Sequence, residues 1–107
     1  ICAVYAHNDD MALGAIQAIN EAGLKPGEDI LVVSIDAVPD IFLAIANGEA
    51  NATVELTPNM AGPAFDALEV YWADGTVPPK FIQTESTLYT QADDPQGEYD
   101  TRKDLGY

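Results

Sequence analysis

Basic residues are scarce in this sequence: 4 Lys and Arg stand against 18 Asp and Glu, a formal charge of −14 over 107 residues. A surface of that sign repels phosphate backbones and anionic lipid, so nucleic acid and membrane surfaces are poor partners. Most of these carboxylates need no role beyond solubility. Cys2 is the one cysteine, which rules out an internal disulfide and a cysteine-built zinc site and leaves the redox compartment open. His7 is the one histidine and reads as a partly exposed structural residue rather than a catalytic one. With no serine or cysteine nucleophile in a suitable setting, triad chemistry has no starting point. No enzyme activity and no cofactor are expected. No apolar run is long enough to cross a bilayer, and there is neither an internal repeat nor a low-complexity tract. The length suits one modest domain, and 48% apolar residues are enough to build its core.

What is present alternates between strand and helix. Ile1-Cys2-Ala3-Val4-Tyr5-Ala6 reads as an internal strand with neither an initiator Met nor a leader, which implies a piece of a longer chain. Asp9 or Asp10 then caps a helix that carries Met11, Ala12, Ala15, Ile16, Ile19 and Ala22 at helical spacing. Gly23 stops it and Pro26 bars its restart. Residues 30–35 form an almost continuous apolar run, the pattern of a strand covered on both faces. Pro39 opens a second helix with Ile41, Phe42, Ala44 and Ile45, ended by Asn47-Gly48. A third strand over 51–56 leads to a third helix, capped by Thr57, that buries Met60, Phe65, Leu68, Tyr71 and Trp72. Residues 81–89 predict a fourth strand, and residues 91–107 an extended or poorly ordered tail. This order predicts an α/β fold: a three-layer parallel sheet with right-handed crossovers and helices on both faces.

Two strands end on polar side chains, Asn8 and Asp36. Ligands of open α/β sheets bind outside the carboxyl ends of the strands. Asn8 offers a donor and an acceptor while ionised Asp36 only accepts, a pairing suited to a ligand rich in hydroxyls. Either residue also serves as a helix cap, and for each alone capping is a sufficient role. Glu55, between Val54 and Leu56, is either wet or inside a site. Asp9-Asp10 and Asp93-Asp94 raise the question of a hard metal ion. Pro95 and Gly97 fall where a calcium loop needs ligands, so the second pair is solvated charge and no metal is expected. Tyr71 and Trp72 suit stacking on a sugar ring, but their helical stripe favours core packing. Asp9-Asp10, Asp36, Thr57 and Lys80 are also the parts of a phosphoacceptor receiver domain. Against that reading, Asp36 lies on the very next strand and only three βα units are present.

Four motifs in register carry a resemblance: Ala6-His7-Asn8-Asp9-Asp10-Met11-Ala12-Leu13-Gly14-Ala15, Val33-Ser34-Ile35-Asp36-Ala37-Val38-Pro39-Asp40, Ala44-Ile45-Ala46-Asn47-Gly48 and Asn51-Ala52-Thr53-Val54-Glu55. Together the sequence over residues 1–91 resembles the second half of periplasmic sugar-binding proteins of ABC importers, in the ribose, galactose and galactofuranose branch. The resemblance implies two α/β lobes that close on a monosaccharide, a pentose or hexose with furanose forms included, and a membrane permease as partner. Residues 1–90 are then the C-terminal lobe of an incomplete fold, with 58–75 crossing to a missing N-terminal lobe, and the location is periplasmic or that of an extracytoplasmic lipoprotein. The family's sugar-binding Asn matches Asn8 and its Asp after the second strand matches Asp36. A third polar residue at the hinge falls in register on Leu56, which has no polar side chain, so Glu55 is the substitute candidate. Sugar-responsive repressors share this lobe, making an effector-binding domain the alternative. The helix over 59–73, deprived of its sheet, is expected to fold back or to pair with a second copy as a homodimer of the fragment.

Overall fold

The computed structural model describes residues 1–105. They gather into two compact units, one of residues 1–56 with the segment from Thr87 onward, the other of residues 57–86.

In the first unit four strands lie side by side: β1 (Ala3–Tyr5), β2 (Leu31–Asp36), β3 (Ala52–Glu55) and β4 (Leu88–Thr90). β1, β2 and β3 are parallel, with Tyr5 opposite Val33 and Asp36 opposite Glu55. β4 runs antiparallel to β3, with Leu88 opposite Val54. The connections are α1 (Asp9–Glu21) and α2 (Pro39–Ala46). Strand alternation puts Val32, Ser34 and Thr53 on one face of the sheet, where all three are buried. Ala12, Ile16 and Ile19 of α1 and Ile41, Phe42 and Ile45 of α2 complete that core. On the alternate positions Tyr5, Leu31, Val54 and Leu88 are between 39% and 60% exposed. The expected helices on both faces are thus supplied to one face by the described residues of this unit, and the last strand reverses.

Two turns press against each other beneath this core. Asn51 Oδ1 accepts from the Val32 amide at 2.7 Å, and its Nδ2 donates to the Gly27 carbonyl at 2.9 Å. Gly27 has φ 80°, and a Cβ there would lie 2.0 Å from the Gly48 carbonyl oxygen. Only glycine fits that approach.

The sequence places an extended tail over 91–107, and the structure corrects it. A 3-10 turn (Gln91–Asp93) leads into a helix (Pro95–Arg102), and the two final residues of the tail lie outside the described ones. Asp94 caps that helix by accepting from the Gly97 amide at 3.3 Å, and Pro95 occupies its first position. The helix packs on α2, and Tyr99 joins the edge of the core.

The second unit holds α3 (Ala61–Asp74), which starts later than expected. Thr57 does not cap it: its Oγ1 accepts from the Asn59 amide at 3.2 Å, and the helix opens at Met60 without a side-chain cap. Gly75 ends it in the left-handed region at φ 78°. None of its residues is buried, Phe65 and Trp72 included. The strand predicted over 81–89 is real only at Leu88–Thr90, and residues 81–86 have no regular structure. In sequence order after α3, the helix Pro95–Arg102 is α4.

One side chain ties the first unit together. Asp9, which with Asp10 was a candidate cap of α1, is completely buried instead. Its Oδ1 accepts from the Ser34 hydroxyl on β2 at 2.5 Å and from the Thr53 hydroxyl on β3 at 2.8 Å. Its Oδ2 accepts from the Val38 amide at the start of α2, also at 2.8 Å. The cap of α1 is Asn8, whose Oδ1 accepts from the Met11 amide at 2.9 Å. An Asp9→Asn substitution keeps the shape but turns one acceptor into a donor facing donors. It is expected to cost about 1.5–3 kcal/mol, the scale of hydrogen bonds to a charged group, read as a lower urea midpoint at unchanged m-value.

Candidate functional site

The carboxyl ends of the parallel strands bring the sequence candidates to one edge of the sheet. Asp36 is the last residue of β2 and Asn8 the cap of α1, directly after β1. Asp36 stands on the same face as Val32 and Ser34, the face that α1 covers. Its carboxyl is held above the usual carboxylate range, first by burial and then by the negative charges of Asp9 and Asp10, while the Asp9 backbone N–H pulls the other way. Asp36 therefore lies against the first turn of α1, the helix that Asn8 caps. Asn8 Oδ1 accepts from the Met11 amide, and its NH2 group is the donor of this side chain.

The backbone under Asp36 is unusual. Asp36 has φ 126° and Ala37 has φ 67°, two consecutive non-glycine residues in a region L side chains rarely adopt. Such conformations cost about 1–3 kcal/mol each and persist where the surroundings enforce them. The surroundings here are the polar network: the Ala37 amide donates to Thr53 Oγ1 at 3.3 Å and the Val38 amide to Asp9 at 2.8 Å. Ala37 is buried, and the Asp36 carbonyl accepts from the Leu56 amide at 3.3 Å. The strained turn and its hydrogen bonds place the Asp36 carboxylate at the end of β2, at the edge of the sheet.

Glu55, the third candidate, is otherwise engaged. Its Oε1 accepts from Arg102 Nη1 at 3.1 Å, and its Oε2 lies 3.4 Å from the Tyr89 hydroxyl. Each oxygen thus has a partner within the unit. His7 is exposed beside Tyr5, their rings 5.4 Å apart. Sequence reasoning missed Ser34 and Thr53, the partners that fix Asp9. A polar residue at an inward position of an otherwise apolar strand was the signal available for Ser34. Among the described residues no group of three or more His, Cys, Asp or Glu is arranged to hold a metal ion. No helix among them is long and apolar enough to cross a membrane. An acceptor carboxylate and an amide donor are groups that can hydrogen-bond hydroxyls.

The chain belongs to the periplasmic binding protein-like domain family, whose model matches residues 2–62. It is similar to the galactofuranose-binding protein YtfQ of Escherichia coli, 66% identical over 107 residues, all of this chain and 33% of that protein. It also resembles the solved periplasmic binding component of the arabinose ABC transporter of Shewanella sp. ANA-3, bound to α- and β-L-arabinofuranose. The TM-score is 0.89 at 53% identity, covering 98% of this chain and 34% of that one. A Mycobacterium smegmatis structure in complex with β-D-fucofuranose gives a TM-score of 0.77 at 39% identity, over 96% and 33% of the two chains. The chain thus spans about a third of the length of these relatives.

The raised pKa of Asp36 has a direct consequence for stability. The folded chain takes up this proton at a higher pH than the unfolded chain, so ionised Asp36 destabilises the fold. That cost is fully present above the raised value and disappears below the ordinary carboxylate value. Asp36→Asn, which also tolerates positive φ, is expected to raise the melting temperature at pH 7. The gain should shrink as pH falls through the carboxylate range, as thermal melts between pH 3 and 7 will read. A variant less stable than the parent at pH 7 would contradict the assignment.

Proposed function

We propose that this chain is part of the solute-binding component of an ABC-type sugar importer, and that it holds a monosaccharide in furanose form by hydrogen bonds from Asn8 and Asp36. The observation that carries the reading is the strained strand end at Asp36, aimed at the first turn of α1 beside Asn8. A charge-assisted bond from one carboxylate to neighbouring sugar hydroxyls is shorter and stronger than a neutral one, and the Asn8 amide complements it as donor. Three relatives named for or solved with galactofuranose, arabinofuranose and fucofuranose support the five-membered ring. The effector domain of a repressor and the receiver domain have no comparable support: Asp9, needed as an open carboxylate in a receiver, is consumed by Ser34, Thr53 and Val38.

In this reading the protein works outside the cytoplasmic membrane, and its partner is the importer's membrane permease. The rest of the longer protein supplies the second wall of the cleft, and the exposed sheet face of Tyr5, Leu31, Val54 and Leu88 packs against it. Apolar surface of that extent is normally covered.

Titration calorimetry on the full-length protein tests the site. Asp36→Ala is expected to weaken sugar binding by about 1.5–3 kcal/mol, a loss of roughly ten- to 150-fold in affinity. The fold should survive, since the side chain sits at a strand tip. Unchanged affinity in a folded variant would remove Asp36 from the site.

A further inference from the structure

The two covalent links between the units leave the first unit after Leu56 and return to it at Thr87. One side chain grips the strand ends at both places. Arg102, the only arginine of the chain, sits on α4 with 17% of its side chain exposed. Its Nη1 donates to Glu55 on β3 at 3.1 Å, one residue before the exit. Its Nη2 donates to the Tyr89 hydroxyl on β4 at 2.7 Å, two residues after the return. Nε is bound by Glu98 of its own helix at 3.0 Å. The guanidinium lies 5.3 Å from the Phe42 ring centroid and 5.2 Å from that of Tyr89, and those two rings meet edge to face.

A pair of exposed charges would fix little. A planar fork whose three nitrogens reach three groups, packed on two aromatic rings, fixes orientation as well as distance. The grip continues into the backbone. The Glu55 amide donates to the Thr87 carbonyl at 2.8 Å, binding exit to return, and the Leu56 amide donates to the Asp36 carbonyl at 3.3 Å. The exit of the chain is thereby tied to the residue whose backbone is strained. Hinges in two-lobed binding proteins are a few element-terminal residues that absorb the change in φ and ψ. Here the ends that border such residues are held on one side by Arg102.

We propose that Arg102 is a positioning residue for ligand binding: its guanidinium clamps the exit and return of the chain at the first unit, and through Glu55 and Leu56 it fixes the turn that presents Asp36. This rests on the reading of Asp36 as a sugar-binding carboxylate. Glu55 then serves the site through the backbone and touches no sugar.

The test uses the full-length protein with L-arabinose and D-galactose, whose solutions contain furanose forms. It combines titration calorimetry, thermal melts and small-angle scattering with and without sugar. Arg102→Met keeps the aliphatic stem and removes the fork. It is expected to weaken binding about two- to thirtyfold, the span of couplings carried by side chains that touch no ligand, and to change the contraction that sugar induces. Arg102→Lys, a point charge able to serve one partner, should recover part of both. Tyr89→Phe, which removes a single hydroxyl, should shift both in the same direction by less, and it carries the test if Arg102→Met does not fold. A folded Arg102→Met, or failing it Tyr89→Phe, that lowers the melting temperature yet keeps parental affinity and contraction overturns the proposal. Glu55→Gln weakening binding while Arg102→Met does not would give Glu55 a direct sugar contact and overturn it as well. A parent protein that binds neither sugar removes the functional reading and this proposal with it. Parental binding abolished by Asp36→Ala but indifferent to Arg102 removes only the clamp.

Discussion

The carboxylate of Asp9 is the constraint on which the first unit depends. A completely buried acid is tolerable only with its lone pairs satisfied, and the donors that satisfy Asp9 come from β2, β3 and the start of α2. The three elements and α1 therefore cannot slide relative to one another without exposing a charge to an apolar interior. Thr53 extends the lock by donating to Asp9 and accepting from the Ala37 amide with the same hydroxyl. The strained turn at Asp36 and Ala37 is the free end of this network. Its positive φ values are held by hydrogen bonds on both following amides, so the energy stored there comes from the well-satisfied interior beneath it. No buried side-chain polar atom among the described residues lacks a partner.

That arrangement gives two neighbouring carboxylates different surroundings. Asp9 faces three donors and Asp36 faces mainly other acids, with burial raising its pKa. A fold selected for stability alone would place a neutral group at position 36. Keeping an acid there, in poor electrostatic company and on strained backbone, makes sense where a ligand supplies the missing donors. Under the proposed function, sugar hydroxyls would be such donors. The same logic separates Glu55 from Asp36 although the two stand opposite each other in register. Glu55 already has a cation within 3.1 Å and a hydroxyl at 3.4 Å, so its charge is compensated before any ligand comes.

Much of this was legible in the sequence, and the misses share a cause. The alternation of β1, α1, β2, α2 and β3 follows from local apolar periodicity, and Asn8 and Asp36 stood out as polar tips of apolar strands. The network of Asp9 did not, because its side-chain partners are 25 and 44 residues away and only the register of three strands brings them together. The same holds for α4, whose polar composition gives no stripe to read. It is tied to β3 by an arginine whose acidic partner there lies 47 residues earlier. A local signal is present in Asp94-Pro95, a cap followed by a proline in the first helical position. β4 was overextended because alternation shows which residues suit a strand and not how long a neighbour is available. β3 ends at Glu55, and pairing ends with it.

The second unit obeys a different balance. The sequence shows an apolar stripe along α3, yet no residue of the helix is buried, because 30 residues with one helix have no sheet of their own to cover it. Amphipathic periodicity states what a segment needs, while burial depends on what else the chain contains. Side chains of this kind gain about 1.5–3 kcal/mol each on full burial, so α3 contributes little to its own stability while Phe65 and Trp72 stay in water. The first unit has resolved its polar interior without outside help. The second has left its apolar surface open, and its Gly75 cap and Asp74–Thr76 turn fix where the helix ends but not what it packs on. Local capping chemistry and tertiary burial are separate requirements: α3 has its C-terminal cap at Gly75 and yet buries none of its residues.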